Sequence, residues 1–487
     1  MYKKAILAIF IILAVCSAIY ALIDRRPVTT SSSEAYKAYV RGEEHSNKLY
    51  YREALQEFER AVKLDPQFAM AHFRAAALYL DFDKREKYLE SREKALALLD
   101  KVKDIEKLQI LLGFARMDRN EKDIAKYSGE LAERYPDHFD AIQMLSTRLF
   151  ADGKYEEAAK ANLRLLEKNP DFALAYNQLG YIYYYLGEYD KSLEYLKKYS
   201  EIAEGQANPH DSRGEILMYL GHYDEALNEF LIADSIKPDL HFVVSHIGDV
   251  YCSKGMLRDA IGAYMRAAEL ATNERVRIDQ YLKMASCYYY MDRSDESVAV
   301  LEEAVAKSAD NVVLQSRLGS FYALTGEMDK ALVQLGIVKG LIARMLAEGT
   351  YSDSVKERTW PSQLYLESRI ESARGNFPVA IDLLNQVLAQ VRPYDYDYVY
   401  RRLAEEYNRA EMPDSAIEYL NRVLTKNPNE ALCLIDIGEA YRQKGMKQQQ
   451  ADALRRFLAV TKDSGEDISL ISGARTALSR LERENVN

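Results

Sequence analysis

The sequence predicts an all-α protein built from helical hairpins that stack into a solenoid. Three observations support this fold class. Glycine and proline are sparse, at 22 and 11 of 487 residues, while 48 % of the residues are hydrophobic, a composition of folded chains. Small residues recur every 34 positions, most clearly at Gly180, Gly214 and Gly248. Between them the apolar residues follow the period of an amphipathic helix, which indicates two helices per repeat.

The first predicted element is a hydrophobic segment within residues 1–27. Lys3 and Lys4 precede an uncharged run of 19 residues, 5–23. A bilayer core needs about 20 apolar helical residues, so this run is long enough to span it. We therefore expect one transmembrane helix. Because the positive charges at its start favour the cytoplasmic side, we expect the body of the protein to be extracytoplasmic.

Two other fates of this segment are open. Cleavage after Ala18 would release a secreted protein, because small residues stand where a signal peptidase reads the chain. Lipid attachment at Cys16 would anchor the protein through an acyl chain. The run LAVC resembles a bacterial lipoprotein signal, although Val15 stands where that signal has a small residue.

The repeat frame extends beyond the three glycines. Two segments carry a glycine, an alanine, an aromatic residue, a second alanine and a proline at identical offsets. These are Gly42, Ala54, Phe58, Ala61 and Pro66 in one segment, and Gly214, Ala226, Phe230, Ala233 and Pro238 in the other. Small residues let two helices approach closely, and the large ring fills the space between them. One hairpin cannot bury both of its faces, so hairpins must stack on one another.

The frame also divides the chain after the anchor. The predicted segments are a polar linker, a main repeat region, an irregular insertion, C-terminal repeats and a capping helix. They cover residues 28–33, 34–338, 339–363, 364–462 and 463–487. Within the main region the small and aromatic positions are eroded over 69–135. Ser31 and Glu34 have the spacing of a capping box, which predicts a helix start at the end of the linker.

This pattern of small and aromatic residues resembles the tetratricopeptide repeat, a helical hairpin of about 34 residues. The resemblance extends from Glu34 to Lys462 and implies a right-handed superhelix with a concave groove. The run GQANPHDSRGEILMYLGHYDEAL, residues 205–227, is also similar to repeat regions of bacterial membrane-anchored sensors and serine/threonine kinases. The sequence contains no kinase motif and no DNA-reading domain. The second resemblance therefore implies a sensory or scaffolding role.

A stripe of polar and aromatic residues marks the first helices of successive repeats, on the side that lines the groove in tetratricopeptide folds. The stripe comprises Gln143, Thr147, Asn177, Tyr181, Tyr184, Asp211, Glu215, Ser245 and Asp249. Acidic and aromatic side chains favour a peptide that carries Lys or Arg. A merely solvated polar face is the alternative interpretation. Arg369 and Arg401 occupy equivalent places further along, where we expect a less acidic groove.

The sequence gives no support for catalysis, a cofactor or a metal site. Its seven histidines include no HExxH run, and Walker, GxGxxG and GxSxG runs are absent. The cysteines, Cys16, Cys252, Cys287 and Cys433, form no CxxC pair, so we expect buried helix thiols. The net charge of −10 argues against a general nucleic-acid binder.

The predicted function is that of a membrane-anchored adaptor whose groove binds a protein or peptide partner. The alternative is a structural or assembly factor of the cell envelope or of secretion machinery, which makes its contacts through its edges. The repeat frame encodes stacking, so it specifies neither the partner nor the oligomeric state.

Overall fold

The structure, a computed structural model, describes residues 27–348, 353–391, 396–465 and 468–486. Within these ranges it contains 25 α-helices, one short 3-10 helix at Leu99–Lys101 and no strand. The helices pair in sequence as antiparallel hairpins, twelve in all, and one helix follows them. The all-α repeat prediction is therefore confirmed.

Two compact units make up the chain, Met1–Pro209 and His210–Asn487. The helices of the first unit are α1 (Ser33–Asn47), α2 (Tyr51–Leu64), α3 (Ala69–Asp81), α4 (Arg85–Ala97), α5 (Asp104–Met117), α6 (Glu121–Arg134), α7 (Phe139–Ala151), α8 (Tyr155–Lys168), α9 (Ala173–Tyr185) and α10 (Tyr189–Ile202). The boundary between the units falls inside α11 (Ala207–Tyr219).

Fourteen further helices belong to the second unit. They are α12 (Tyr223–Ile236), α13 (His241–Ser253), α14 (Leu257–Leu270), α15 (Glu274–Tyr290), α16 (Ser294–Lys307), α17 (Val312–Leu324), α18 (Met328–Ala347), α19 (Asp353–Ala373), α20 (Phe377–Leu388), α21 (Tyr396–Arg409), α22 (Pro413–Lys426), α23 (Ala431–Gln443), α24 (Lys447–Val460) and α25 (Ser469–Val486). The irregular insertion expected at 339–363 thus consists largely of the ends of two long helices, α18 and α19.

The predicted membrane segment, residues 5–23, lies outside the described residues. Within the part of the chain that the structure describes, no helix combines the length and the apolar character that a bilayer span requires.

In four hairpins the close contact between the two helices is the one that the repeat frame predicts. Gly214 in α11 faces the ring of Phe230 in α12, and a Cβ added to this glycine would lie 2.7 Å from a ring carbon. Non-bonded carbons prefer about 3.5–4 Å, so only glycine fits. The same contact joins Gly42 to Phe58, Gly180 to Leu196, and Gly248 to Tyr264.

The eroded segment, 69–135, folds as regular hairpins whose glycine contact has moved. Gly113 in α5 faces Phe73 in α3, with an added Cβ only 2.2 Å from the ring. This contact joins the first helices of two neighbouring hairpins, whereas the contacts of Gly42, Gly180, Gly214 and Gly248 join the two helices of one hairpin. The aromatic residue therefore stands in the first helix, where the repeat frame does not place it.

The N-cap of α1 lies one residue after the one that the predicted capping box implies. Ser32 is the N-cap, and its Oγ accepts a hydrogen bond of 3.1 Å from the amide of Ala35. Ser31 is engaged elsewhere, because its amide donates to the Asp65 carboxylate at 3.2 Å. The same carboxylate accepts the Thr30 hydroxyl at 2.6 Å. Asp65 thus holds the polar linker and leaves the next serine to cap the helix.

The second unit closes on itself, because its last helices pack against its early ones. Ile471 and Leu481 of α25 are buried in one cluster with Leu257 and Ile261 of α14. The loop that precedes α25 adds a hydrogen bond of 2.8 Å from the Ser464 hydroxyl to the Gly255 carbonyl. The last predicted segment therefore covers the apolar surface of helices more than 200 positions earlier in the chain.

A second set of polar contacts also joins early and late parts of the same unit. The Tyr223 hydroxyl accepts a hydrogen bond of 3.0 Å from the Asn427 amide, and the Asn429 amide donates to the Gly221 carbonyl at 3.1 Å. Lys254 forms an ion pair with Asp463 at 2.9 Å. These contacts join the turn between α11 and α12, and the end of α13, to the turn before α23 and the loop before α25.

Candidate partner-binding cavity

The predicted groove stripe of the first unit lies on α7 and α9. The Thr147 hydroxyl donates to the Gln143 carbonyl of its own helix turn at 3.0 Å. Tyr181 and Tyr184 are half-buried, and the Tyr184 ring lies 5.3 Å from that of Tyr185. The Asn177 side-chain oxygen is buried and accepts no hydrogen bond from the described residues. These side chains share one face of their helices, and none of them lines the cavity of the second unit described below.

In the second unit two of the three predicted carboxylates are paired with cations of the next repeat. Asp211 accepts a hydrogen bond of 2.8 Å from His246 Nδ1. Asp249 and Ser245 each contact Lys283 Nζ at 2.9 Å. Asp249 also accepts the hydroxyl of Tyr264 at 2.8 Å.

The remaining predicted carboxylate, Glu215, accepts the Tyr219 hydroxyl one helical turn away. Over α11–α15, Asp211 and Asp249 are therefore each paired with a cation of the next repeat, whereas Glu215 is hydrogen-bonded to a neutral tyrosine.

The pair of His246 and Asp211 is an ion pair with a shifted histidine. Burial favours the neutral imidazole, but the Asp211 carboxylate more than offsets this and raises the pKa of His246 to about 9. Glu215 and Asp249 act in the same direction. The imidazolium therefore persists at neutral pH and ties α13 to α11.

This shift predicts that the second unit loses stability in alkaline solution. The pKa of an unfolded histidine is about 6.5, so the contribution of the pair is fully present below that pH. It is lost as the pH rises through about 9. We expect a loss of about 3 kcal/mol between pH 6 and pH 10, measured as a fall in the urea midpoint. His246→Gln should lower the midpoint at pH 6 and leave a smaller dependence on pH. An unchanged slope in the variant would contradict the assignment.

A cavity of about 900 Å³ lies in the second unit, on the side of the first helices of five successive hairpins. These helices are α15, α17, α19, α21 and α23, and the start of α25 completes the wall. The charged side chains of the wall are Asp279, Lys283, Asp292, Arg317, Arg369, Arg401, Arg402, Glu405 and Asp436. Five aromatic rings stand among them, those of Tyr289, Tyr290, Phe321, Tyr365 and Tyr398.

Arg369 is the most deeply buried cation of this wall, with 3 % of its side chain exposed. Its Nη1 lies 3.3 Å from Glu405 and 3.6 Å from Glu406, and its Nε donates to the Tyr365 hydroxyl at 3.2 Å. Burial opposes the charge, but the tyrosine and the carboxylates raise the pKa of Arg369, so the guanidinium stays protonated. Its Nη2 is buried and donates to no described residue.

Arg401 and Arg402 are held by carboxylates of the same wall. Arg401 Nε donates to Asp436 of the next repeat at 3.2 Å, and Arg402 pairs with Glu405 in its own helix. Burial raises the pKa of Asp436 to about 6, although Arg401 opposes the shift. Both arginines are therefore largely neutralised by protein carboxylates.

Arg317 differs because its contacts within the described residues are with tyrosines. Its guanidinium carbon lies 4.7 Å from the ring centre of Tyr365 and 5.5 Å from that of Tyr398. Its Nη1 donates to the Tyr398 hydroxyl at 2.8 Å. No carboxylate of the described chain lies within ion-pair distance of it, and the nearby Arg369 adds to the positive potential. The wall is therefore cationic and aromatic at this point.

Sequence reasoning identified Arg369 and Arg401 as groove residues, and both line this cavity. It missed Arg317, Tyr365 and Tyr398. One signal was present, since a basic residue stands two positions before the small residue of several repeats. These residues are His246 before Gly248, Lys283 before Ala285, Arg317 before Gly319 and Arg402 before Ala404.

Comparisons with known proteins assign the class of repeat. Two family models described as tetratricopeptide repeat match the chain, one over residues 144–207 and one over residues 281–311. The chain therefore contains tetratricopeptide repeats within these residues, and the first resemblance drawn from the sequence is confirmed over them. The matches do not bear on the similarity to membrane-anchored sensors and kinases. No curated protein matches the chain.

Three solved structures match the chain at low identity. Yeast Tom70 is 16 % identical, with 88 % of this chain and 98 % of that chain covered and a TM-score of 0.43. The P58(IPK) TPR domain is 15 % identical, with 93 % and 99 % covered and a TM-score of 0.25. MamA is 20 % identical, with 35 % and 92 % covered and a TM-score of 0.30.

Proposed function

We propose that this protein is a membrane-anchored adaptor that binds a peptide segment of a partner protein in the cavity of its second unit. The observation that carries this proposal is Arg317, a cation stacked on two tyrosines at the wall of the cavity. The tetratricopeptide fold supports a protein-binding role, because the concave surfaces of solenoids are where they usually bind. The cavity also has the size of known ligand sites, which are about 300–1,000 Å³.

The charge of the wall selects an acidic segment. The sequence favoured a partner rich in Lys or Arg, but that expectation depended on carboxylates that His246 and Lys283 neutralise. The positive charge of Arg317 has no carboxylate partner among the described residues, and a ligand carboxylate would form an ion pair with it. The rings of Tyr365 and Tyr398 provide apolar faces for a neighbouring aromatic or aliphatic side chain. The expected ligand is a short segment with an acidic and an apolar residue.

The test compares two synthetic peptide pools by fluorescence anisotropy on the full chain. One pool is rich in Asp, Glu, Phe and Leu, and the other has Lys in place of Asp and Glu. We expect the acidic pool to bind. Arg317→Gln should weaken that binding by about tenfold or more, as for a desolvated arginine at the centre of an interface.

Arg422 offers a matched control. It stacks on Tyr400 and Tyr419 at 5.3 and 5.1 Å, pairs with Glu418 at 2.8 Å and is not part of the cavity wall. Arg422→Gln should leave the affinity unchanged. Preferred binding of the basic pool, or equal losses in the two variants, would refute the proposed site.

Contacts through an edge are a second candidate, favoured by one observation on α18. This helix exposes Val333 and Leu346, with 63 % and 58 % of their surface accessible, and Leu332 and Ile337 are also exposed. Val333→Lys distinguishes the two functions. Peptide binding that survives Arg317→Gln but is lost in Val333→Lys would assign the contact to this edge.

Membrane attachment through residues 5–23 is part of the proposal and is supported by the length of that uncharged run. Protease added to intact cells or spheroplasts should digest the body of the protein, and full protection would count against an extracytoplasmic body. The mass of the N-terminal peptide of the isolated protein separates a retained anchor from cleavage after Ala18 or acylation at Cys16.

A further inference from the structure

Two thiols of neighbouring repeats face each other in the second unit. Cys252 in α13 and Cys287 in α15 are 35 positions apart, and their Sγ atoms lie 3.9 Å from one another. Neither of them forms a disulfide in this structure. Cys287 is fully buried, whereas Cys252 is partly exposed. The third described cysteine, Cys433, is buried and contacts neither of them within hydrogen-bond distance.

The surroundings fix both thiols in place. Cys252 and Cys287 pack in one apolar cluster with Tyr264 and Tyr290. The Tyr264 ring fills the space beside Gly248 and its hydroxyl is held by Asp249. Because each thiol sits on a helix of a packed hairpin, the approach of the two sulfur atoms is a property of the fold. Disulfide formation needs a further approach to about 2 Å, which side-chain rotation and a small helix shift can supply.

We propose that Cys252 and Cys287 are a redox modification site. Thiol–disulfide exchange with an external disulfide converts them into an intramolecular disulfide that joins the first helices of two adjacent repeats. The co-reactant is a disulfide RSSR, either a small molecule such as oxidised glutathione or an oxidoreductase in its disulfide form. Cys252 reacts first because it is the accessible thiol of the pair.

The exchange is balanced in two steps. The Cys252 thiolate, after losing its proton to solvent, attacks one sulfur of RSSR, so that a mixed disulfide forms and one RS⁻ leaves. Cys287 then loses its proton and attacks Cys252 Sγ, which forms the protein disulfide and expels the second RS⁻. The two cysteines are oxidised, RSSR is reduced, and two RSH molecules result. The bridge constrains α13 against α15, whose residue Tyr290 lines the cavity.

The test treats the folded full chain with oxidised glutathione, denatures it, alkylates the remaining thiols and maps the peptides without reduction. We expect one bridged peptide pair that contains Cys252 and Cys287, with Cys433 alkylated. In the folded chain the yield of the Cys252–Cys287 bridge should be about tenfold higher than that of any other cysteine pairing. This preference should disappear in urea, because the fold supplies the proximity of the two thiols.

Matched variants separate this outcome from random oxidation. Cys433→Ser should give the same bridge at the same rate. Cys252→Ser should leave Cys287 alkylated and free of glutathione, since a buried thiol alone does not react. Dominant bridges between chains, pairing with Cys433, or a mixed disulfide at Cys252 that never resolves would each overturn the proposal.

Discussion

Replacing Arg369 by leucine is expected to destabilise the second unit by about 3–5 kcal/mol, the largest stability effect predicted for this chain. The guanidinium is almost fully buried between Glu405 and Glu406, at 3.3 and 3.6 Å. Glu406 has only 3 % of its side chain exposed. Removal of the cation leaves buried carboxylates with less compensation, and their desolvation cost then counts against the folded state.

Arg374, at the end of the same helix, is the matched control. It pairs with Glu371 one turn away and has 43 % of its side chain exposed, so Arg374→Leu should cost less than about 0.5 kcal/mol. Urea denaturation of both variants at pH 7 measures the difference. Equal losses would show that Arg369 is not needed to hold the carboxylates. Arg369→Lys should restore only part of the stability, because lysine keeps the charge but cannot reach several acceptors at once.

Replacing Gly214 by leucine is expected to destabilise the same unit by about 3 kcal/mol through overpacking. An added Cβ already lies 2.7 Å from Phe230, whose ring is fully buried and cannot turn aside. The larger side chain must therefore push α11 and α12 apart. A fall in the thermal midpoint measures the effect, and an unshifted melt would contradict the assigned phase of the repeat.

Gly336 provides the control for this substitution. It lies inside α18, where an added Cβ meets no atom within 4 Å among the described residues. Gly336→Leu should therefore raise stability by about 0.5–1 kcal/mol, because leucine has a higher helix propensity than glycine. Opposite shifts of the thermal midpoint in Gly214→Leu and Gly336→Leu would show that the space around the new side chain, and not the loss of a glycine, decides whether the substitution destabilises or stabilises the unit.

The hairpins could be predicted because their defining contact is local. Gly214 and Phe230 are 16 positions apart, and the same offset recurs at Gly42 and Gly248. Where the contact is not local, prediction was weaker. Gly113 meets Phe73 across two hairpins, and a frame built on contacts within one hairpin cannot show such a pair.

The electrostatic character of the groove could not be predicted from one stripe. Asp211 meets His246, and Arg401 meets Asp436, each 35 positions further along. In both pairs, a residue three places before the small residue of one repeat contacts a residue two places before the small residue of the next repeat. The groove prediction used only the first of these positions, so it counted Asp211 as an available charge. Arg317 occupies the second position in its own repeat and was therefore missed.

The contact of Ser464 with Gly255 has a consequence for how the second unit comes apart. An open array of repeats can fray from its ends, with each hairpin melting almost independently of distant ones. In this unit the terminal helix is sealed beneath Leu257 and Ile261, so its amides should exchange hydrogen no faster than those of the central hairpins. The intact second unit should therefore unfold as one cooperative block and not as a row of separable hairpins. Truncation before residue 463 would uncover that apolar surface in the middle of its array.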